Sequence, residues 1–173
     1  MAKTKVAAIQ MVSGNDLDQN LNCAKALIQK AKQQGAKLAV LPENFSFMPE
    51  VNSGYANIAE DLGKGKIQLF LSELAKQQDI WLIGGTMPLV SAVEGKFYSG
   101  CLIYNNQGEQ VGCYRKVHLF DVSLANQENY SESSSFVPGK EYLALQTPLG
   151  KLGFAVCYDI RFPEQFYHLG QLG

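Results

Sequence analysis

A chain of 173 residues is the length of one domain and can bury a real core. Its 46% apolar content is ordinary for a globular protein, and a formal net charge of −1 leaves no electrostatic footprint for nucleic acid or an anionic membrane. No apolar run approaches a membrane span, and the first ten residues lack the apolar core and cleavage site of a secretory signal. The four cysteines (Cys23, Cys101, Cys113 and Cys157) show no C-x-x-C spacing. With only His118 and His168 beside them, no zinc pattern arises, so neither a metal nor a cofactor is expected. Free, reduced thiols in a cytoplasmic protein are the simplest reading, with Cys23, Cys101 and Cys113 structural.

In chain order, Lys5 to Met11 reads as a first strand and Ser13 to Asp16 as a turn. Leu17, Leu21, Ala24, Leu27, Ile28 and Ala31 recur at helical spacing, predicting a helix over 17–34 that Gly35 stops. Lys37 to Leu41 is a second, buried strand ended by Pro42. Strand, helix and strand in this length make a βαβ unit with parallel strands. Asn44 to Gly63 reads as irregular with some helix. It holds Phe45, Phe47, Met48 and Tyr55, which either line a pocket or cover the core. Lys66 to Gln78 fits an amphipathic helix, and Ile80 to Thr86 a third strand that Met87-Pro88 leaves.

There the strict alternation ends. Lys96 to Tyr104 and Glu109 to Arg115 are two strands joined by Asn105-Asn-Gln-Gly108, a hairpin turn. Asn126 to Pro138 reads as a polar loop. Tyr142 to Thr147 and Leu152 to Cys157 form another strand pair around Pro148-Leu-Gly150. Pro163 opens a last helix, since its missing N–H is not needed in a first turn. Alternating βα units followed by hairpins imply an α/β fold with a mixed sheet, or two sheets packed together, and helices outside.

Three polar residues each follow a predicted strand: Glu43, Lys116 and Cys157. Ends of parallel strands converge, so these three are placed to meet. Cys157 reads as the end of a strand buried on both faces, in a crevice near backbone N–H groups that lower a thiol pKa and hold an oxyanion. Singly, each has a plainer reading: a core thiol, a solvated carboxylate, one of a surface basic pair. Together they make chemical sense. A thiol needs a base within reach, a carboxylate beside an ammonium supplies one, and the ammonium stabilises developing negative charge.

Three ordered stretches, Leu41-Pro-Glu43-Asn-Phe45, Tyr114-Arg-Lys116-Val-His-Leu-Phe120 and Gly153-Phe-Ala-Val-Cys157-Tyr-Asp-Ile-Arg-Phe-Pro-Glu164, closely resemble the nitrilase superfamily, the carbon–nitrogen hydrolases. The resemblance implies an α-β-β-α sandwich, usually a homodimer or larger, with catalytic residues at Glu43, Lys116 and Cys157. A further family glutamate that orients the lysine and substrate falls on Glu132. The Cys157-to-Glu164 stretch looks most like the ω-amidase and deaminated-glutathione amidase branch, which cuts a terminal amide from a small carboxylated substrate and releases ammonia. On that resemblance the Tyr158 backbone N–H joins Lys116 in holding the oxyanion. Arg161 pairs with Asp159 or another carboxylate, the preferred reading, or binds a substrate carboxylate. The resemblance also implies that 1–173 is the N-terminal portion of one such domain, stopping inside the helix that Pro163 opens. A chain of this length is then expected to be poorly soluble and to turn over little amide.

Two competing readings differ in class. One is a papain-like hydrolase with His118 as base. The other is a catalytically impaired homologue acting as an interaction or redox-sensing module, in which Cys157 reacts with oxidants only.

Overall fold

The computed structural model describes residues 3–49, 52–123 and 129–173, so the start of the polar loop predicted from Asn126 lies outside the described residues. Strand β1 (Val6–Ala8), helix α1 (Leu17–Gln33) and strand β2 (Leu38–Val40) form the expected βαβ unit, with β1 and β2 parallel. The α1 start is set by Asp16, whose side chain accepts the Gln19 N–H at 3.0 Å, a cap worth about 1 kcal/mol. The helix buries Leu21, Ala24, Ile28 and Ala31 on one face. A short 3₁₀ stretch (Asn52–Asn57) precedes helix α2 (Lys66–Gln77), which buries Ile67, Leu71, Leu74 and Ala75.

Strands β3 (Trp81–Ile83) and β4 (Met87–Val90) run along one edge of the long strand β5 (Phe97–Tyr104), β3 against its end and β4 against its start. Met87-Pro88 therefore does not leave the sheet, as the sequence suggested. Pro88 lies inside β4, and its carbonyl accepts from the Glu60 N–H of the flanking loop at 3.2 Å. Strand β6 (Gln110–Arg115) pairs antiparallel with the other edge of β5 through the predicted Asn105–Gly108 turn. There Asn105 Oδ1 accepts the N–H groups of Gln107 (3.0 Å) and Glu109 (2.9 Å).

The segment expected as polar loop is partly ordered. Strands β7 (Asp121–Ser123) and β8 (Asn129–Ser131) pair antiparallel, and a 3₁₀ turn (Glu132–Ser134) follows. Strands β9 (Ala144–Thr147) and β10 (Gly150–Gly153) form a separate antiparallel hairpin. A second 3₁₀ turn (Cys157–Arg161) leads into helix α3 (Pro163–Gln171), with Pro163 in its first turn as expected.

The main sheet runs β1-β2-β3-β5-β4 with β6 on the far side of β5. One face, with Ala39, Leu82, Leu102 and Tyr104, packs on α1 and α2 in the largest core. On the opposite face Cys101, Ile103 and Tyr114 meet Leu143, Leu145, Leu152, Phe154 and Val156 of the hairpin region, a sheet-on-sheet contact. Leu152 points into that layer, so Gly153 points out, and a methyl there would meet Leu169 of α3 at 3.2 Å. The layers therefore run helix, sheet, hairpin, helix, the α-β-β-α order that the resemblance implies.

The run Leu152 to Val156 is not a strand buried on both faces of the main sheet. Among the described residues it pairs with β9 alone, alternates between buried or half-buried residues (Leu152, Phe154 and Val156) and exposed ones (Gly153 and Ala155), and leaves strand geometry after Gly153. Period-two patterning over so short a run does not separate a central strand from the inner face of a hairpin.

Candidate active site

Glu43, Lys116 and Glu132 meet at one end of the main sheet. Strand β6 is antiparallel to β5, which is antiparallel to β3, so β6 runs in the direction of β2 and β3. Chain leaving β2 and chain leaving β6 thus emerge together, and Glu43 and Lys116 meet although 73 residues separate them.

Glu43 sits in a tight turn. Asn44 adopts a left-handed φ of 54°, a region Asn tolerates, and its N–H donates to the Thr86 hydroxyl at 2.8 Å. Gly85 presses against the turn from below: a methyl there would stand 2.0 Å from the Pro42 carbonyl oxygen. Lys116 continues the ladder past β6, its N–H donating to the Ser99 carbonyl and its carbonyl accepting from Gly139.

The Lys116 ammonium, 2% exposed, lies 2.8 Å from Glu43 Oε1, and 3.0 and 2.8 Å from the two Glu132 oxygens. Glu132 also accepts the Phe120 N–H at 2.7 Å. Burial works against the Lys116 charge, but the hydrogen bonds it donates to Glu132 and Glu43 outweigh it and hold the pKa above the ordinary lysine value. The lysine is a fixed cation between two carboxylates.

Cys157 opens the second 3₁₀ turn with a left-handed φ of 48°, uncommon for a residue with a side chain. Its thiol pKa is raised, first by burial and then by the Glu43 carboxylate; Lys116 opposes the shift and Glu132 adds to it. The sequence expected a lowered pKa from nearby N–H groups. Burial first, and then the Glu43 carboxylate, decide otherwise, and the thiol rests protonated beside a carboxylate.

A cavity of about 350 Å³ is lined by Glu43, Lys116, Glu132 and Cys157 together with Met48, Tyr55, Phe120 and Tyr130. Burial, with Glu132 and Glu43 adding, raises the Tyr55 pKa and keeps its phenol protonated. Of the four candidates in 44–63, Met48 and Tyr55 reach this cavity, while Phe45 and Phe47 are buried in the core. A larger, more apolar cavity of about 550 Å³ shares Glu43 and Cys157 and extends between Val6, Leu38 and Val40 of the sheet and Leu152 and Phe154 of the hairpin. The charged groups cluster in the smaller cavity.

Tyr158 follows Cys157 directly, so its backbone N–H lies in the same turn, and its ring packs edge-on against Phe120 (5.1 Å) and Phe162 (5.4 Å). Arg161 is exposed, lines neither cavity and forms no ion pair among the described residues. The preferred Arg161–Asp159 pair is absent because Asp159 is fully buried and filled by other donors. Its Oδ1 accepts the His118 N–H (2.9 Å) and faces His118 Nδ1 (2.8 Å), while Oδ2 accepts the Tyr114 hydroxyl (2.7 Å) and the Val156 N–H (2.8 Å). His118 stacks on Phe162 at 3.7 Å and lines neither cavity. In the sequence Asp159 and His118 stand apart, one as a partner for Arg161 and the other as an alternative base. The available signal was their equal offset, each two residues beyond a predicted catalytic group.

The model for the carbon-nitrogen hydrolase family matches residues 5–173. The chain belongs to the carbon-nitrogen hydrolase family. It is 39% identical over 160 residues to nitrilase homolog 2 of Dictyostelium discoideum, covering 92% of this chain and 48% of that protein. It is 37% identical over 168 residues to the omega-amidase NIT3 of Saccharomyces cerevisiae, covering 94% and 57%. The crystal structure of yeast Nit3, described as a member of branch 10 of the nitrilase superfamily, superposes with a TM-score of 0.74 at 32% identity over 88% of this chain and 54% of that one. The NitFhit protein of C. elegans superposes with a TM-score of 0.78 at 30% identity over 92% and 39%. The chain thus spans about half the length of the curated relatives it matches.

Proposed function

We propose that this carbon-nitrogen hydrolase chain carries the catalytic groups of an amidase that hydrolyses the terminal amide of a small carboxylated substrate. The observation behind the proposal is the buried Lys116 cation, 2.8 Å from Glu43 and from Glu132, in the cavity that Cys157 also lines. A thiol whose pKa burial and the neighbouring Glu43 carboxylate hold up needs a base, and Glu43 is within reach to be that base. Glu43 takes the Sγ proton as sulfur bonds to the amide carbon. Lys116 and the Tyr158 backbone N–H hold the oxyanion, with Glu132 orienting Lys116. Collapse breaks the carbon–nitrogen bond, and Glu43 returns the proton to the departing ammonia. Water, deprotonated by Glu43, then attacks the thioester. The acid product leaves and the thiol is restored.

The omega-amidase names of several relatives support this substrate class. The test is ammonia release from glutaminyl-type amides of small dicarboxylic acids. The little ammonia that a chain of this length is expected to release should be measurable, and Cys157→Ala should release none. Equal release by both would overturn the reading.

A further inference from the structure

Asp159 is a buried carboxylate that the chemistry above does not use. It accepts four hydrogen bonds, which fills both oxygens. The donors come from two places in the chain. Val156 precedes Cys157, while Tyr114 and His118 flank Lys116 two residues to either side. One carboxylate therefore ties the turn that bears Cys157 to the segment that bears Lys116. His118 holds the same turn twice, through Asp159 within it and by stacking flat on Phe162 at its end, 9° from parallel. Gln165 of α3 donates to Tyr114 Oη (3.0 Å) and to the Phe154 carbonyl (3.1 Å), closing the network beneath the turn.

We propose that Asp159 and His118 are a positioning pair that holds the Cys157 thiol in register with Glu43 and Lys116. The proposal rests on the amidase reading only for its turnover readout. His118 acts through its Nδ1–H, not as a base: Nδ1 is spent on Asp159, and the ring lines neither cavity that Cys157 lines. The pair has to hold Cys157 against a left-handed backbone, and a small misplacement of a nucleophile can cost about a hundredfold in rate.

Three substitutions separate the donor from the ring. Asp159→Asn sets an amide N–H₂ against groups that themselves donate, so it breaks the network. His118→Ala removes both donor and ring. His118→Asn keeps a donor near the Nδ1 position and can serve neither as a base nor as the stacked ring. Two measurements are made on the full chain: kcat and KM for ammonia release, and the pH profile of iodoacetamide alkylation at Cys157, read by peptide mass spectrometry. Exposed Cys23 controls for reagent, and buried Cys101 reports unfolding.

Asp159→Asn and His118→Ala should lower kcat about a hundredfold with KM little changed. They should also move the Cys157 alkylation profile to lower pH, because partial desolvation in the site and then Glu43 hold the thiol pKa up, and displacement relaxes it towards its ordinary value. His118→Asn should return most of both effects. The proposal is overturned if His118→Ala behaves as the parent chain, or if His118→Asn is as impaired as His118→Ala while Cys101 stays protected. If Asp159→Asn exposes Cys101, the two His118 variants decide. Absence of ammonia release from the parent chain would sink the amidase reading, while the alkylation profiles would still judge the pair.

Discussion

Cys157 holds a φ of 48°, a region that costs a residue with a side chain about 1–2 kcal/mol. The cost is tolerated where it aims a side chain, and here it turns the thiol into the cavity with Glu43. Cys157→Gly should therefore melt higher than Cys157→Ala, by about 1 kcal/mol in chemical denaturation, with both variants inactive; equal stabilities would show no strain at this residue. Lys116 is the opposite case, stabilised by its partners. Lys116→Met leaves Glu43 and Glu132 without their cation. Since both carboxylates keep some solvent, the loss should be about 2 kcal/mol rather than the roughly 3–5 kcal/mol of a fully buried pair. Amide turnover should vanish in Lys116→Met and in Glu43→Gln alike, and the double variant should be no worse than either, because the groups act as one unit. The three polar residues were legible in the sequence because each directly follows a strand-like run. The place of Asp159 was not, because three of the four hydrogen bonds that satisfy the buried carboxylate come from residues 41 and 45 positions away.

At the scale of elements, the βα alternation was legible because helix and strand periods differ and Gly35, Pro42 and Pro163 mark ends. The β10 placement was not, since a buried strand and the inner edge of a hairpin share one apolar pattern. The break between β3 and β4 shows what the sequence hides. Gly84-Gly85-Thr86 looks like the end of a strand, yet the chain continues along the same edge of β5. The interruption brings Gly85 under the Pro42 carbonyl and presents the Thr86 hydroxyl to Asn44, which together fix the turn that carries Glu43. Gly85 has a φ of 57° and no room for a methyl. Gly85→Ala should cost more than about 2 kcal/mol in denaturant melts and reduce turnover beyond its loss of folded protein, because relief of the clash moves Glu43. An alanine variant with the parent's stability would mean that the close approach carries no weight.

For the whole molecule, the order of layers was legible mainly through the family resemblance; composition and periodicity alone left one mixed sheet and two packed sheets both open. The sheet-on-sheet layer makes a prediction of its own. Cys101 lies in that layer, 4% exposed, and burial, with Cys113 adding, pushes its thiol pKa up to about 12 from an ordinary value near 9.0. A raised folded-state pKa means that between these values the native chain keeps a proton the unfolded chain has lost. Stability from this group is therefore complete below pH 9 and drains away as pH rises towards 12. Three pH units correspond to about 4 kcal/mol. Cys113, Cys157 and Lys116 also have raised values and act in the same direction. Urea midpoints should accordingly fall steeply from pH 9 upwards. Cys101→Ala, which costs about 1 kcal/mol at neutral pH through a small void, should flatten that fall and cross the parent's stability on the alkaline side. If the two curves stay parallel from pH 7 to 11, the buried thiol is not what makes the fold alkali-sensitive.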